Sequence, residues 1–297
     1  MSRTPDPVAT ALDPPPGFRL VTLGDTGLRR PDGSLVLANS KRLALLTYLH
    51  CAPDRSSTRT KLISLFWAND RAADAETGAL RSALSRLRAD LGGPDAFVVR
   101  PGEVALAVSI RSDRDDFLDA IDAGRLEDAV NLYRGRFFEE FADPGAVEFE
   151  QWADIERIRL ERLFLSAADT SARRALDRGE PRVAVAIARR VRSRAPDAEL
   201  GWQLVLQALL LTGNALDSVA EAEAFERWLS HQGRPAEAAS AELIAKARSN
   251  QSDAVHGAPP GTGLIADLVG REREFAALVE AWRRVGRGPG QYLHLEA

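Results

Sequence analysis

The chain of 297 residues holds one cysteine, one methionine, three tyrosines and four histidines. With Cys51 alone, no internal disulfide can form, and a reducing cytoplasm is the expected setting. The histidines, at 50, 231, 256 and 294, are scattered. None stands beside cysteine or carboxylate at metal-ligand spacing, so no metal site is expected. No apolar run reaches the roughly 18 residues that cross a membrane. The N-terminus, MSRTPDPVATALDPPPG, has no apolar signal core; it is Pro-rich and expected to be disordered over residues 1–17. Gly-x-Ser-x-Gly is missing, which removes a hydrolase elbow. GAPPGTG near residue 260 has glycines but no Lys-Ser/Thr, so it reads as spacer and not as a phosphate loop. No catalytic residue and no cofactor are expected.

Charge of one sign is also missing from the whole: the net value is −4. The distribution is uneven. Residues 1–112 carry 15 Lys and Arg against 11 Asp and Glu; residues 113–297 carry 24 against 32. The modest basic excess at the front points to different partners for the two halves.

The pattern predicts strands, three helices and a hairpin in residues 18–112. FRLVTLGDTGLRRPDGSLVL sets short apolar runs around Gly24-Asp25 and Pro31-Asp32-Gly33, as antiparallel hairpins do. Ser40 caps a helix through KRLALLTYLHCA, which Pro53-Asp54 ends. Ser57 or Thr58 starts a second, TRTKLISLFWAND, followed by a polar turn over Asp70–Asp74. The third helix is ETGALRSALSRLRADLGG, stopped by Gly92-Gly93-Pro94; Gly78 lies near its start. FVVRPGEVALAV then makes a hairpin around Pro101-Gly102.

On the third helix, Leu80, Leu84, Leu87 and Leu91 gather on one side at about 100° per residue. The opposite side holds Ser82, Ser85, Arg86 and Ala89, with Arg81 and Arg88 flanking the leucines. Small residues let a helix sit deep in a groove, and guanidinium groups pair with guanine edges or clamp phosphates. Amphipathic surface helices carry arginines as a matter of course. The two helices before and the hairpin after favour a reading helix and wing. Trp67, Phe137, Phe138 and Phe141 are read as core.

From Asp113 to about Lys246 the chain is rich in Ala, Leu, Glu and Arg, with helical periodicity. Gly124, Gly179 and Gly213 recur at helix turns, each followed five residues later by a small residue, Ala129, Ala184 or Ser218. The last two glycines are 34 apart, the tetratricopeptide period. The first pair is 55 apart, so an insertion is expected around RGRFFEEFADPGAVEF. SNQSDAVHGAPPGTG reads as a linker.

TRTKLISLFW, ALRSALSRLRADLG and FVVRPG in succession resemble the winged-helix domain of the Streptomyces antibiotic regulatory protein family. The following region, with AVNLYRGRFF, Trp152 and ALDRGEPRVAVAIARRVRSRAPDAELGWQLVLQALLLTGN, resembles the bacterial transcriptional activator domain that accompanies it. Together they cover roughly residues 18–246. The resemblance implies a mainly α protein: a winged helix-turn-helix domain of response-regulator output type at 18–112, then a tetratricopeptide-like helical domain at 113–248 and a linker at 249–266. It implies an activator that binds double-stranded promoter DNA at direct repeats, contacts RNA polymerase and forms a homodimer, with no small-molecule substrate. Carried over by position, Arg81, Ser82, Ser85, Arg86 and Arg88 face bases. Thr58, Arg59 and Lys61 hold phosphate, and Arg100 stands at the wing. Glu103 replaces the usual aromatic and basic wing residues and is expected to repel phosphate. LVGREREFAALVEAW resembles the entry to signal-transduction ATPases, so residues 267–297 are expected to begin such a domain without its P-loop, as part of a larger regulator. The rival expectations are a protein-interaction scaffold that has lost DNA binding, and an output module of such an ATPase.

Overall fold

The computed structural model describes residues 17–68, 73–139, 141, 143 and 146–256. The N-terminus before Gly17 and the ATPase-like segment at 267–297 lie outside the described residues.

Three short strands open the fold: β1 (Phe18–Val21), β2 (Gly27–Arg29) and β3 (Leu35–Ala38). They form the antiparallel meander that the turn residues predict, with β1 paired to β2 and β2 to β3. Helices α1 (Lys41–Cys51), α2 (Arg59–Trp67) and α3 (Ala73–Asp90) follow. Ser40 caps α1, its hydroxyl accepting from the Leu43 amide at 3.4 Å. Between α1 and α2 runs β4 (Ser56–Thr58), and after α3 come β5 (Phe97–Arg100) and β6 (Glu103–Leu106). These three form a small antiparallel sheet in the order β4-β6-β5, so the wing has a third strand that the sequence reading did not identify.

The strand β7 (Ile110–Ser112) runs parallel to β1 and completes a four-stranded sheet in the order β3-β2-β1-β7. It joins the end of the winged helix to its beginning. Ser112 then caps α4 (Asp113–Asp122), accepting from the Asp115 amide at 3.0 Å.

The helical part continues with α5 (Leu126–Leu132), α6 (Val147–Asp177), α7 (Pro181–Arg194), α8 (Leu200–Leu211), α9 (Ala215–Gln232) and α10 (Ala238–His256). Gly124, Gly179 and Gly213 all have φ near +70°, the left-handed conformation that ends a helix and that glycine adopts at least cost. The small residues five positions on, Ala129, Ala184 and Ser218, are fully buried, which lets paired helices approach. Of the expected insertion, residues 134–149, the described residues before α6 (134–139, 141, 143 and 146) are non-helical, and Val147 to Phe149 open the long α6.

Two boundaries differ from the sequence reading. Helix α3 begins at Ala73 and not at Glu76, so Gly78 is interior, and Ala73 and Asp74, read as part of the polar turn, are helical. Helix α10 runs on to His256, so residues 249–256, read as linker, are helical. That stretch is polar but free of glycine and proline until Gly257, and polarity alone does not stop a helix. The rest of the linker lies outside the described residues.

The described residues up to Arg248 belong to one compact unit. A single apolar core runs from Leu20 on β1 through α1, α2 and α3 to Leu204 on α8. Tyr48 meets Trp152 edge-on at 5.1 Å, and Phe66 lies 5.0 Å from Phe149. Phe137, Phe138 and Phe141 are buried, as is Trp67. Asp113 is the polar counterpart of this joint. Its carboxylate accepts from the Thr22 and Leu23 amides at 2.9–3.0 Å and from the Thr22 hydroxyl at 2.8 Å. Burial pushes its carboxyl above the ordinary range, while these donors favour the ionised form and oppose the shift.

Candidate nucleic-acid interface

The leucine stripe of α3 does what its spacing predicts: Leu80, Leu84, Leu87 and Leu91 are buried. Their burial decides the rest of the helix. Gly78, Arg81, Ser82, Ser85, Arg86 and Ala89 are all exposed, and Arg88 is half-buried at the edge of the stripe. Arg81 and Arg86 form no ion pair with another described residue. Asp90, the acid at the end of this face, is held by Arg42 at 2.5 Å. The outward surface of α3 is therefore cationic and lined with short side chains, and Gly78 leaves the backbone itself uncovered there.

The other predicted residues come together at one end of the wing sheet. Antiparallel pairing places Thr58 opposite Glu103 and Glu103 opposite Arg100, in one row across three strands. Gly102, with φ of +79°, makes the tight turn between β5 and β6. Its carbonyl accepts from the Arg59 amide at 2.9 Å, which ties the wing tip to the start of α2. Lys61 is exposed beside this junction.

Local hydrogen bonds engage three of these groups. The Thr58 hydroxyl caps α2 by accepting from the Lys61 amide at 3.2 Å, and the Arg59 amide is taken by Gly102. Two of the amides at the start of α2 thus have internal partners. What remains for a phosphate here is the proton of the Thr58 hydroxyl and the Arg59 and Lys61 side chains. Glu103 was expected to turn its charge on the phosphates. Instead it accepts from the Ser56 hydroxyl at 2.9 Å and lies 3.7 Å from Arg100, so hydrogen bonding and a neighbouring guanidinium moderate its charge. Ser56 stands on β4, and nothing in the sequence marks β4 as a strand, which is why this partner was not foreseen.

The comparisons bear on the whole arrangement. Residues 108–246 match the family described as bacterial transcriptional activator domain. The match begins just before β7 and takes in the helices from α4 to the first half of α10. Among solved structures, the chain is similar to Mycobacterium tuberculosis EmbR in complex with low affinity phosphopeptide. The two share 18% identity over 80% of this chain and 69% of that chain, with a TM-score of 0.56. At that identity the likeness speaks for the fold. No curated protein gave a significant match. A winged helix-turn-helix thus shares one core with a segment that matches the bacterial transcriptional activator domain, and this match supports a transcription regulator.

Proposed function

We propose that the protein binds promoter DNA in a sequence-specific manner through α3 and activates transcription by recruiting RNA polymerase. The exposed face of α3 carries this reading: Arg81 and Arg86 without carboxylate partners among the described residues, set among Gly78, Ser82, Ser85 and Ala89, on a helix whose other side is locked into the core. A guanidinium without an internal partner offers its full donor fork to a guanine edge or a phosphate. Arg59, Lys61 and Arg100 supply phosphate contacts from the start of α2 and the wing; Arg88 adds one from the edge of α3. The helical domain holds the polymerase and a second copy of the chain, and direct repeats in the promoter set two copies side by side. The mechanism is recruitment and involves no bond-breaking chemistry. The setting is the cytoplasm; among the described residues no helix is long and apolar enough to cross a membrane.

The test is a selection from random duplex DNA at near-physiological salt, with the wild-type chain beside Arg81→Ala/Arg86→Ala. Enrichment of a repeated motif by wild type alone supports the reading. Equal weak binding by both would make the arginines ordinary surface charge and bring forward the interaction-scaffold reading.

A further inference from the structure

Helix α7 has the sequence PRVAVAIARRVRSR, with five arginines and no acid. Two of them are internal. Arg192 lies over the Trp202 ring at 3.7 Å and bonds Glu221. Arg194 donates to the backbone carbonyls of Val130 and Tyr133. The other three, Arg182, Arg189 and Arg190, form no ion pair with any described residue. On α4 and α6, by contrast, Arg114, Arg157, Arg159 and Arg173 each stand within 3.1 Å of a carboxylate, while Arg162 and Arg174 form no ion pair with a described residue.

Two of these unpaired cations, Arg182 and Arg190, border a groove of about 250 Å³ between α5 and α7. Val130, Val183, Ala186 and Ile187 line it, and Val183 leaves 38% of its surface in water. The opposite wall carries Asn131 and Glu127, and Glu127 is 3.8 Å from Arg178. The electrostatic field at the C-terminal end of α7 is positive enough to act on its own side chains. Burial first, then the charges of Arg190 and Arg134, hold the Arg194 guanidinium below its usual range.

We propose that the groove between α5 and α7 receives an acidic amphipathic helix of a protein partner, its apolar side on Val130, Val183, Ala186 and Ile187 and its carboxylates on Arg182 and Arg190. Charge complementarity selects an acidic occupant, and the apolar lining selects a protein over a nucleic acid, because a sugar-phosphate strand gains nothing from buried valine and isoleucine. A trough between two helices fits a third helix, which would present apolar residues at i, i+3, i+4 and i+7. Arg182 and Arg190 are eight residues apart, about 12 Å along the axis at 1.5 Å per residue, which matches acids about two turns apart on the incoming helix. The site uses no residue of α2, α3 or the wing, so it stands whether or not α3 reads DNA.

The experiment uses the full chain and a fluorescein-labelled synthetic peptide of leucine and glutamate with leucines at that spacing. A twin has glutamine in place of every glutamate. Anisotropy at near-physiological salt reads the binding. The glutamate peptide is expected to bind, and its glutamine twin to bind at least about tenfold more weakly, as loss of desolvated charge pairs predicts. Arg182→Ala/Arg190→Ala should also weaken it at least about tenfold, whereas Arg81→Ala/Arg86→Ala should leave it within about twofold. Val183→Glu, which keeps every arginine and places an acid at the floor, should abolish binding while leaving the melting temperature near wild type. Absence of binding by the glutamate peptide at millimolar concentration would overturn the proposal. So would equal affinity of the two peptides, or loss in the α3 variant in place of the α7 variant.

Discussion

The outward faces of α3 and α7 use the same small set of side chains in different surroundings. On α3 they are Arg81, Ser82, Ser85, Arg86 and Ala89; on α7 they are Arg182, Ala186, Arg189 and Ser193, with Arg190 at the edge. Both helices lock an apolar stripe into the core and turn guanidinium groups to solvent. The difference lies in what stands next to each. Beside α3 are the cations at the start of α2 and no exposed large apolar side chain on its own outward face. Beside α7 is a trough lined by valine, alanine and isoleucine. Arginine pairs with bases, phosphates and carboxylates alike, so the neighbouring surface decides which partner a cationic helix fits.

The comparison breaks most visibly at the arginines themselves. Arg81→Ala/Arg86→Ala is expected to cost about 1–3 kcal/mol per lost bidentate contact, so at least about 30-fold in specific DNA affinity. Competition titration against random duplex measures this. Arg182→Ala/Arg190→Ala in the same titration should stay close to wild type, and a comparable loss would mean that both faces serve one ligand.

The next effect acts on both faces together, because they share one core. Asp113→Ala leaves the Thr22 and Leu23 amides without their acceptor inside the joint. Buried unsatisfied donors of this kind cost about 1–3 kcal/mol each, so the urea midpoint should fall without a change in slope. An unchanged midpoint would show the joint to be wet.

Gly78→Ala sharpens the assignment of α3 further. The position is interior to the helix, and a Cβ there meets nothing within 4 Å. The free protein should gain about 1 kcal/mol of stability from helix propensity. DNA affinity should nevertheless fall if the backbone at this point approaches the duplex; a variant both more stable and equally tight would place Gly78 outside the contact. Lys61→Ala is expected to have a smaller and uniform effect. A single phosphate contact should lower the slope of log affinity against log salt by about 0.9, equally for cognate and random DNA.

The smallest effect concerns the seam between α1 and α4. Asp115 accepts from or shares a proton with His50 Nε2 at 2.7 Å. Burial raises its carboxyl, and the hydrogen bond and charge of His50 outweigh that, so it ends below the ordinary value of 3.8. A carboxyl held low in the folded state contributes stability above the unfolded value and loses it as pH falls through the folded one. Asp115→Asn should therefore be less stable than wild type at neutrality, and the gap between the two should close as pH falls below 3.8. An identical acid limb in both proteins would assign the seam to packing alone.

Much of the interface was legible because one property controlled it. Leucine spacing on α3 sets which side is buried, and burial of one side leaves the other exposed; Arg81, Ser82, Ser85 and Arg86 follow from that directly. Ser40 and Thr58 were legible as caps because a cap is a local bond between neighbours in sequence. The fate of Glu103 was not legible. Its partner Ser56 is 47 positions away on a strand of three residues, too short to show alternation. The start of α3 was misplaced for a related reason: a polar first turn has no apolar rhythm to mark it.

The sequence by itself determined the elements and their buried sides. It placed the three-helix and hairpin order, the helical turns at Gly124, Gly179 and Gly213, and the cationic face of α3, because periodicity, capping and glycine's access to positive φ act within a few residues. Tertiary structure decided the rest. It added β7 beside β1, laid α6 against α2 to merge two parts into one core, seated Asp113 under the Thr22 and Leu23 amides, and opened the trough between α5 and α7. Each of these depends on groups tens of residues apart meeting within a few ångströms. The free energy of such meetings comes from desolvation and hydrogen bonding in the assembled interior, which no local pattern records.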